Sequence, residues 1–177
     1  IIVKNRSSTK NWACYHVDYN SSGQRALLIN TGGTDNSNYW NGTQPTSSVF
    51  SLGTETEVNR SGDNMVAYCW ANTSGMQHFG SYYGNGSSDG PYIATGFRPR
   101  MLFTMRTDSA SGFRVRDTER QTFNPSTRIL WWTYSQQEYN SDSSSGYNFD
   151  IFSNGFKIRT SSGDFNANNS LYVYGAW

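Results

Sequence analysis

Three pairs of carboxylates stand close enough in the sequence to suggest glycoside hydrolysis. They are Glu55 with Glu57, Asp117 with Glu119, and Glu138 with Asp142. A glycosidase needs two carboxyl groups that face each other across a cleft, one as the acid and the other as the base or nucleophile. Each of these pairs is local, and residues two apart on a strand point to one face of it. We interpret the three pairs as solvated surface charge and predict that the chain is not an enzyme.

Histidine and cysteine chemistry is also sparse. A Ser-His-Asp site would need the fold to bring His16 or His78 to an activated serine. His16 lies two residues after Cys14 on one face of a predicted strand, so we expect a buried histidine and a small core cysteine. Cys14 and Cys69 are too few for a disulfide framework or a zinc site, and the loop around Asp89 lacks the several carboxylates that bind calcium. We therefore predict no metal and no cofactor.

The composition excludes other classes of function. The net charge is +1 and neither sign forms a block, which argues against nucleic acid as a partner. No apolar run is long enough to span a bilayer, so we expect no membrane insertion. Aromatic residues make up 16% of the chain, and short apolar stretches alternate with clusters of Gly, Asn and Ser. This pattern predicts an all-β fold with many short strands.

Four blocks of sequence occur twice in the same order. They are 1–7 with 101–107, 12–16 with 113–117, 49–53 with 151–155, and 65–69 with 171–175. We interpret them as a duplication with a first module at 1–76, connecting strands and a lead-in at 77–100, and a second module at 101–177. Antiparallel strands in each module predict that it is half of a β-sandwich or one small sandwich. The equivalent lead-in to the first module would lie before Ile1, so we expect that module to be truncated at its N-terminal side.

The duplication also predicts which side chains face the core, because side chains alternate along a strand. Ala13 and Tyr15 of the first module align with Arg114 and Arg116 of the second. Because two of these four residues are charged, we expect all four to face outward. Their neighbours are expected to face inward: Trp12, Cys14, Phe113 and Val115. Cys69 aligns with Gly175 and is expected at a position of close packing.

Exposed aromatic rings beside amides and hydroxyls are what a sugar-binding surface needs. Six aromatic residues have such neighbours and are our candidate ligand-binding residues: Tyr39, Trp40, Tyr82, Tyr83, Trp131 and Trp132. Adjacent residues on a strand face opposite ways, so one of Trp131 and Trp132 is expected in the core. The other would face solvent, a partner subunit or a ligand, and Tyr82 with Tyr83 presents the same choice.

Several glycine-rich and aromatic-rich runs have a recognisable pattern. They read FGSYYGNG at 79–86, DGP at 89–91, TGFRP at 95–99, RTDSA at 106–110 and FSNGFKIR at 152–159. Together they resemble a module of tailed-phage tail-fibre and virion proteins, of the kind found in phages of marine and cyanobacterial hosts. The resemblance implies a virion location and a lectin-like or jelly-roll β-fold, and it supplies no catalytic residue.

From this resemblance we expect a non-catalytic structural protein of a virion, in a tail fibre or surface module that contacts the host or neighbouring subunits. The expected partners are other virion subunits, in a homo-oligomer, and a glycan of the host surface. Two alternatives remain. One is a polysaccharide depolymerase of a phage tail, and the other is a secreted bacterial lectin or adhesin.

Overall fold

The computed structural model describes residues 1–20, 22–140 and 146–177. The predicted all-β class is confirmed, since every strand pairing in these ranges is antiparallel. The first sheet is built from β1 (Ile2–Asn5), β2 (Trp12–Cys14), β3 (Ala26–Leu28), β4 (Gly33–Asp35) and β5 (Met65–Tyr68), with the one-turn helix α1 (Thr56–Asn59) before β5.

Two further sheets come from the rest of the chain. The second contains β6 (His78–Tyr83), β8 (Met101–Arg106), β9 (Arg114–Asp117), β10 (Arg128–Trp131), β11 (Tyr139–Asn140) and β14 (Leu171–Ala176). The third contains β7 (Tyr92–Ala94), β12 (Phe149–Phe152) and β13 (Gly155–Ile158), and α2 (Gly163–Asn166) precedes β14. No helix in the described ranges has the length and apolar character needed to cross a bilayer.

The first two sheets have the same order of strands. The first runs β4-β3-β2-β1-β5, and the second runs β11-β10-β9-β8-β14 before it adds β6 at its edge. The strand registers show that the first and last of the aligned blocks, 1–7 and 65–69, are each displaced by one residue from the alignment made on sequence. Ile2 pairs with Cys14 as Phe103 pairs with Val115, so Ile2 corresponds to Phe103 and not to Leu102. The block at 49–53 forms no strand, whereas 151–155 spans the turn between β12 and β13.

Three apolar cores hold the sheets together. The first and second sheets pack face to face through buried residues of both: Cys14, Leu27, Ile29, Phe103, Met105, Phe113, Val115 and Val173. The other face of the first sheet is covered by the segment that carries Tyr39, Trp40 and Val58. The other face of the second sheet is covered by the third sheet and by Phe165 of α2. Each fully buried large side chain stabilises the fold by about 2–3 kcal/mol.

The predicted outward face was wrong. All four of its residues are buried, because both faces of each of these two sheets are covered: Ala13, Tyr15, Arg114 and Arg116. The predicted inward face holds for Cys14, Phe113 and Val115, but Trp12 is exposed at 37% and lies under the Lys4 ammonium. Cys69 is also exposed, because within the described ranges no strand lies beside β5 on the side away from β1.

The two buried arginines are kept in the core by aromatic rings and carbonyl oxygens. The Arg116 guanidinium lies 4.1 Å from the centre of the Phe149 ring and donates hydrogen bonds to the carbonyl oxygens of Ser126 and Tyr147. The Arg114 guanidinium lies 2.9 Å from an Asp164 carboxylate oxygen. These contacts offset part of the cost of removing the charge from water.

Candidate functional site

Three of the six predicted ligand-binding residues lie in the core. Tyr39 and Trp40 are 1% exposed, and the Trp40 indole donates to the carbonyl oxygen of Arg25 over 2.7 Å. Tyr82 stacks on Tyr172 with ring centres 5.0 Å apart, and its hydroxyl donates to a backbone carbonyl. The burial of Tyr39 and Trp40 corrects the expectation that these rings are exposed, because they pack against the far face of the first sheet. Tyr82 is the buried member of its pair and packs against the third sheet.

The other three predicted residues reach the surface to different degrees. Tyr83 is 65% exposed, and Trp132 is 41% exposed over Phe103 and Phe113. Trp131 is half-buried, with the Arg114 guanidinium 4.4 Å from its ring centre. The alternation predicted for Tyr82 and Tyr83 is therefore present, and of the tryptophan pair Trp132 is the more exposed.

Two exposed aromatic rings, tilted by 59° to each other, lie on the outer face of the third sheet and were not predicted from the sequence. Tyr92 and Phe152 are exposed there, with ring centres 5.9 Å apart, and the Tyr92 hydroxyl donates to the Asn154 side chain over 2.6 Å. Gly155 pairs with Ala94 of the adjacent strand, and the Tyr92 ring lies over Gly155. A Cβ atom at Gly155 would lie 2.2 Å from a backbone oxygen and 2.8 Å from the Tyr92 hydroxyl. We call Tyr92, Ala94, Phe152, Asn154 and Gly155 the outer platform.

The platform could have been found from the repeated Phe-Ser pattern and the glycine that follows it. What the sequence does not supply is the pairing of β7 with β13, which brings Tyr92 next to Asn154. The nearby charges balance, since Lys157 lies 3.0 Å and Arg159 lies 3.3 Å from the same Asp89 oxygen, and Arg159 also lies 3.4 Å from an Asp150 oxygen. The platform therefore presents apolar ring faces and an amide in nearly neutral surroundings.

A groove of about 550 Å³ lies at the open edge of the first sheet. It lies between the loop 44–50 and the segment 69–72, and Ile1, Phe50, Trp70 and Phe79 line it. Trp70 is 40% exposed and forms an edge contact with Trp177, with ring centres 6.3 Å apart. The sequence analysis did not single out Trp70, because nothing local indicated that the strand before it forms an uncovered edge.

His16 is buried, as expected. Its Nε2 lies 3.0 Å from the Tyr174 carbonyl oxygen, and its Nδ1 accepts from the backbone N–H of Asp18. Burial lowers the pKa of His16 to about 4. The neutral imidazole thus joins the loop after β2 to strand β14 of the second sheet.

The candidate catalytic carboxylates have local partners. Asp117 and Glu138 both accept from the Arg120 guanidinium, over 2.6 Å and 2.9 Å. Glu119 forms an exposed ion pair with Arg100. Asp142 lies outside the described residues. Arg120 thus brings Asp117 and Glu138 to one guanidinium group, in ion pairs close to strand ends.

The loop between β6 and β7 carries a serine pattern that is typical of some hydrolases. The run 86–90 reads Gly-Ser-Ser-Asp-Gly, which fits the G-x-S-x-G pattern of a nucleophile elbow. An elbow is a sharp turn from a strand into a helix, whereas this run is an exposed loop between β6 and β7. Asp89 in this loop forms its ion pairs with Lys157 and Arg159. Among the described residues, no group of three or more His, Cys, Asp or Glu side chains could hold a metal ion.

The family model of DUF7483, a domain of unknown function, matches residues 1–177. The chain belongs to the DUF7483 family. No curated protein and no solved structure matches it. The exposed surfaces of this DUF7483 domain are therefore the basis for its proposed function.

Proposed function

We propose that this DUF7483 domain is a non-catalytic structural module of a phage virion, in a tail fibre or another surface part. It packs against neighbouring subunits and contacts a glycan of the host surface. The sequence runs that resemble tail-fibre modules support the virion location. The outer platform supports the glycan contact and is the observation on which the proposal rests.

We further propose that the fold is a lectin-like β-sandwich built from two homologous repeats. The common strand order of the first two sheets supports this, and so do matching details. Two backbone hydrogen bonds of the first half recur at corresponding strand ends in the second. The N–H of Ile29 donates to Trp12 as that of Trp132 donates to Phe113. The N–H of Arg6 donates to Asn64 as that of Thr107 donates to Leu171. Each one-turn helix is followed three residues later by positive φ, at Gly62 and Asn169. Independent folds would have no reason to share these features.

The exposed ring of Tyr92 supports pyranose binding at the platform. Tyr92 lies against Gly155, which leaves the other face of its ring to solvent, and its hydroxyl is held by Asn154. Sugar C–H groups pack on such a ring face, while an amide donates to and accepts from hydroxyls. Because the ring is fixed before binding, little side-chain entropy is lost on contact. Trp132 offers a second exposed ring of the same kind.

Binding to host cells and to a glycan array tests the proposal, with a reducing-end assay on the same samples. Tyr92→Ala should weaken binding about tenfold, since it removes one aromatic stacking contact. Tyr139→Ala is the matched control, because Tyr139 is an exposed tyrosine on another sheet. We expect that variant to bind as the unmodified protein does.

The outcomes separate the alternatives. Binding without new reducing ends, reduced by Tyr92→Ala alone, supports an attachment module. New reducing ends would contradict the non-catalytic role and favour a depolymerase. Loss of binding that is equal in both variants would remove the platform from the proposal.

A further inference from the structure

The two related sheets differ at one edge. In the second sheet β14 lies between β8 and β6, while in the first sheet β5 pairs, within the described ranges, with β1 alone. The burial follows this difference. From Tyr172 to Ala176 every residue of β14 is buried, whereas Ala67 and Tyr68 of β5 are exposed. The strand that covers β14 has no counterpart beside β5.

The open edge carries none of the usual protection against strand pairing. Residues 65–70 read MVAYCW, with no charged residue and no proline. Proteins normally place such groups, or a bulge or a cover, on exposed edges to prevent contact with another strand. An apolar edge of this kind is suited to bind one more strand through main-chain hydrogen bonds.

The tryptophans that follow β5 and β14 show what an added strand beside β5 would contact. By register Tyr68 corresponds to Gly175, so Trp70 corresponds to Trp177. The Trp177 ring packs edge-on against Phe79 of β6, with ring centres 5.2 Å apart. Trp70 instead lines the groove and remains 40% exposed. A strand beside β5 would bring a side chain to Trp70 as β6 brings Phe79 to Trp177.

The path by which the chain enters β8 indicates the direction from which an added segment would reach β5. In the second half, the backbone N–H groups of Arg100 and Met101 donate to the Trp177 carbonyl oxygen just as the chain enters β8. By register Leu102 corresponds to Ile1, so the equivalent path in the first half passes beside Ile1. The groove is lined by both Ile1 and Trp70, which places it on this path.

An asparagine at the end of each short helix gives independent support. Asn166 donates to the carbonyl oxygen of Thr160 over 2.8 Å, and its side chain also binds Asn85 and Ser87 of the loop after β6. Asn59 donates over the same distance to the carbonyl oxygen six residues before it, that of Gly53, but it is exposed. The first half therefore keeps the residue that holds a lead-in loop in the second half.

We propose that the edge of β5 and the adjoining groove bind a two-strand segment of the 77–100 type that approaches from the side of Ile1. Its first strand pairs antiparallel with β5, its loop binds Asn59, and its exit passes over Trp70. The inference rests on the duplication proposed above. It does not depend on glycan contact, because the platform lies on the third sheet.

A fusion that places a second copy of 77–100 directly before Ile1 tests this inference. Cys69 lines the groove and is exposed, while Cys14 is buried, so the rate of alkylation by iodoacetamide reports on the groove. We expect the fusion to slow alkylation of Cys69 at least about tenfold, because a docked segment must open before the thiol reacts. A fusion of the same 24 residues in scrambled order is the matched control. Circular dichroism verifies that both remain folded.

A second change tests the predicted contacts. Asn59→Ala and Trp70→Ala in the fusion should each restore part of the alkylation rate, and neither should change the rate in the scrambled fusion. Equal alkylation of the two fusions would overturn the inference. Protection of Cys69 that rises with protein concentration in the chain without a fusion would also overturn it, in favour of a second copy. Protection by a glycan would overturn it in favour of a sugar-binding groove. None of these results bears on binding at Tyr92.

Discussion

The two halves of the molecule have a common order of strands and different covers. The far face of the first sheet is closed by a segment without strands that inserts Tyr39 and Trp40. The far face of the second sheet is closed by a complete third sheet and α2. A strand order alone therefore does not determine which side chains are buried. The element that packs on the sheet decides this.

Tyr15 and Arg116 show how the packing element determines which side chain a buried position accepts. By register Tyr15 corresponds to Arg116, and both are buried. Tyr15 meets the Trp40 ring edge-on, with ring centres 5.6 Å apart, whereas the Arg116 guanidinium lies against Phe149. An aromatic cover accepts either a ring or a flat cation, because both gain from the face or edge of a second ring.

The largest expected difference between the halves lies at the two short helices. Phe165 and Val58 occupy corresponding positions and are both fully buried. Phe165→Ala should lower the free energy of unfolding by about 4 kcal/mol, because it removes a ring that packs on Phe149 and Tyr147. Val58→Ala removes two carbon atoms and should cost about 2 kcal/mol. Urea denaturation measures both, and equal losses would contradict the larger cover of the second half.

The contact between the halves should be sensitive to pH through His16. Burial lowers the pKa of His16 to about 4, from an ordinary value of 6.5. Between these values the unfolded chain binds a proton that the folded chain does not, so the stabilisation is complete above pH 6.5 and is lost as the pH falls through 4. The shift corresponds to about 3 kcal/mol. Denaturation at a series of pH values measures the loss.

His16→Gln is the control for this pH dependence. Glutamine retains a donor for the Tyr174 carbonyl oxygen and does not titrate. The difference in stability between the two proteins should therefore change between pH 6.5 and 4. A constant difference over that range would show that His16 is not responsible.

The sequence was sufficient to predict the class of fold but not the covers. Aromatic and β-branched runs between Gly and Asn clusters predicted the strands, and alternation correctly separated Tyr82 from Tyr83. Alternation failed at Arg114, because a charged side chain indicates an outward face unless a ring and a carboxylate meet it inside. Tyr92 and Asn154 are 62 residues apart, so only the pairing of β7 with β13 brings them together. Contacts of that range leave no local signal.

The smallest of these differences concerns the asparagines after the short helices. Asn166 is buried and binds four groups with its side chain, so Asn166→Ala would leave buried backbone groups without partners and should cost about 2 kcal/mol. Asn59 is exposed, so Asn59→Ala should cost about 0.5 kcal/mol, since water can replace its bond to Gly53. Thermal and urea denaturation measure both losses. If a lead-in of the 77–100 type is fused before Ile1, the loss on Asn59→Ala should rise toward that of Asn166→Ala, because the same asparagine then holds a loop.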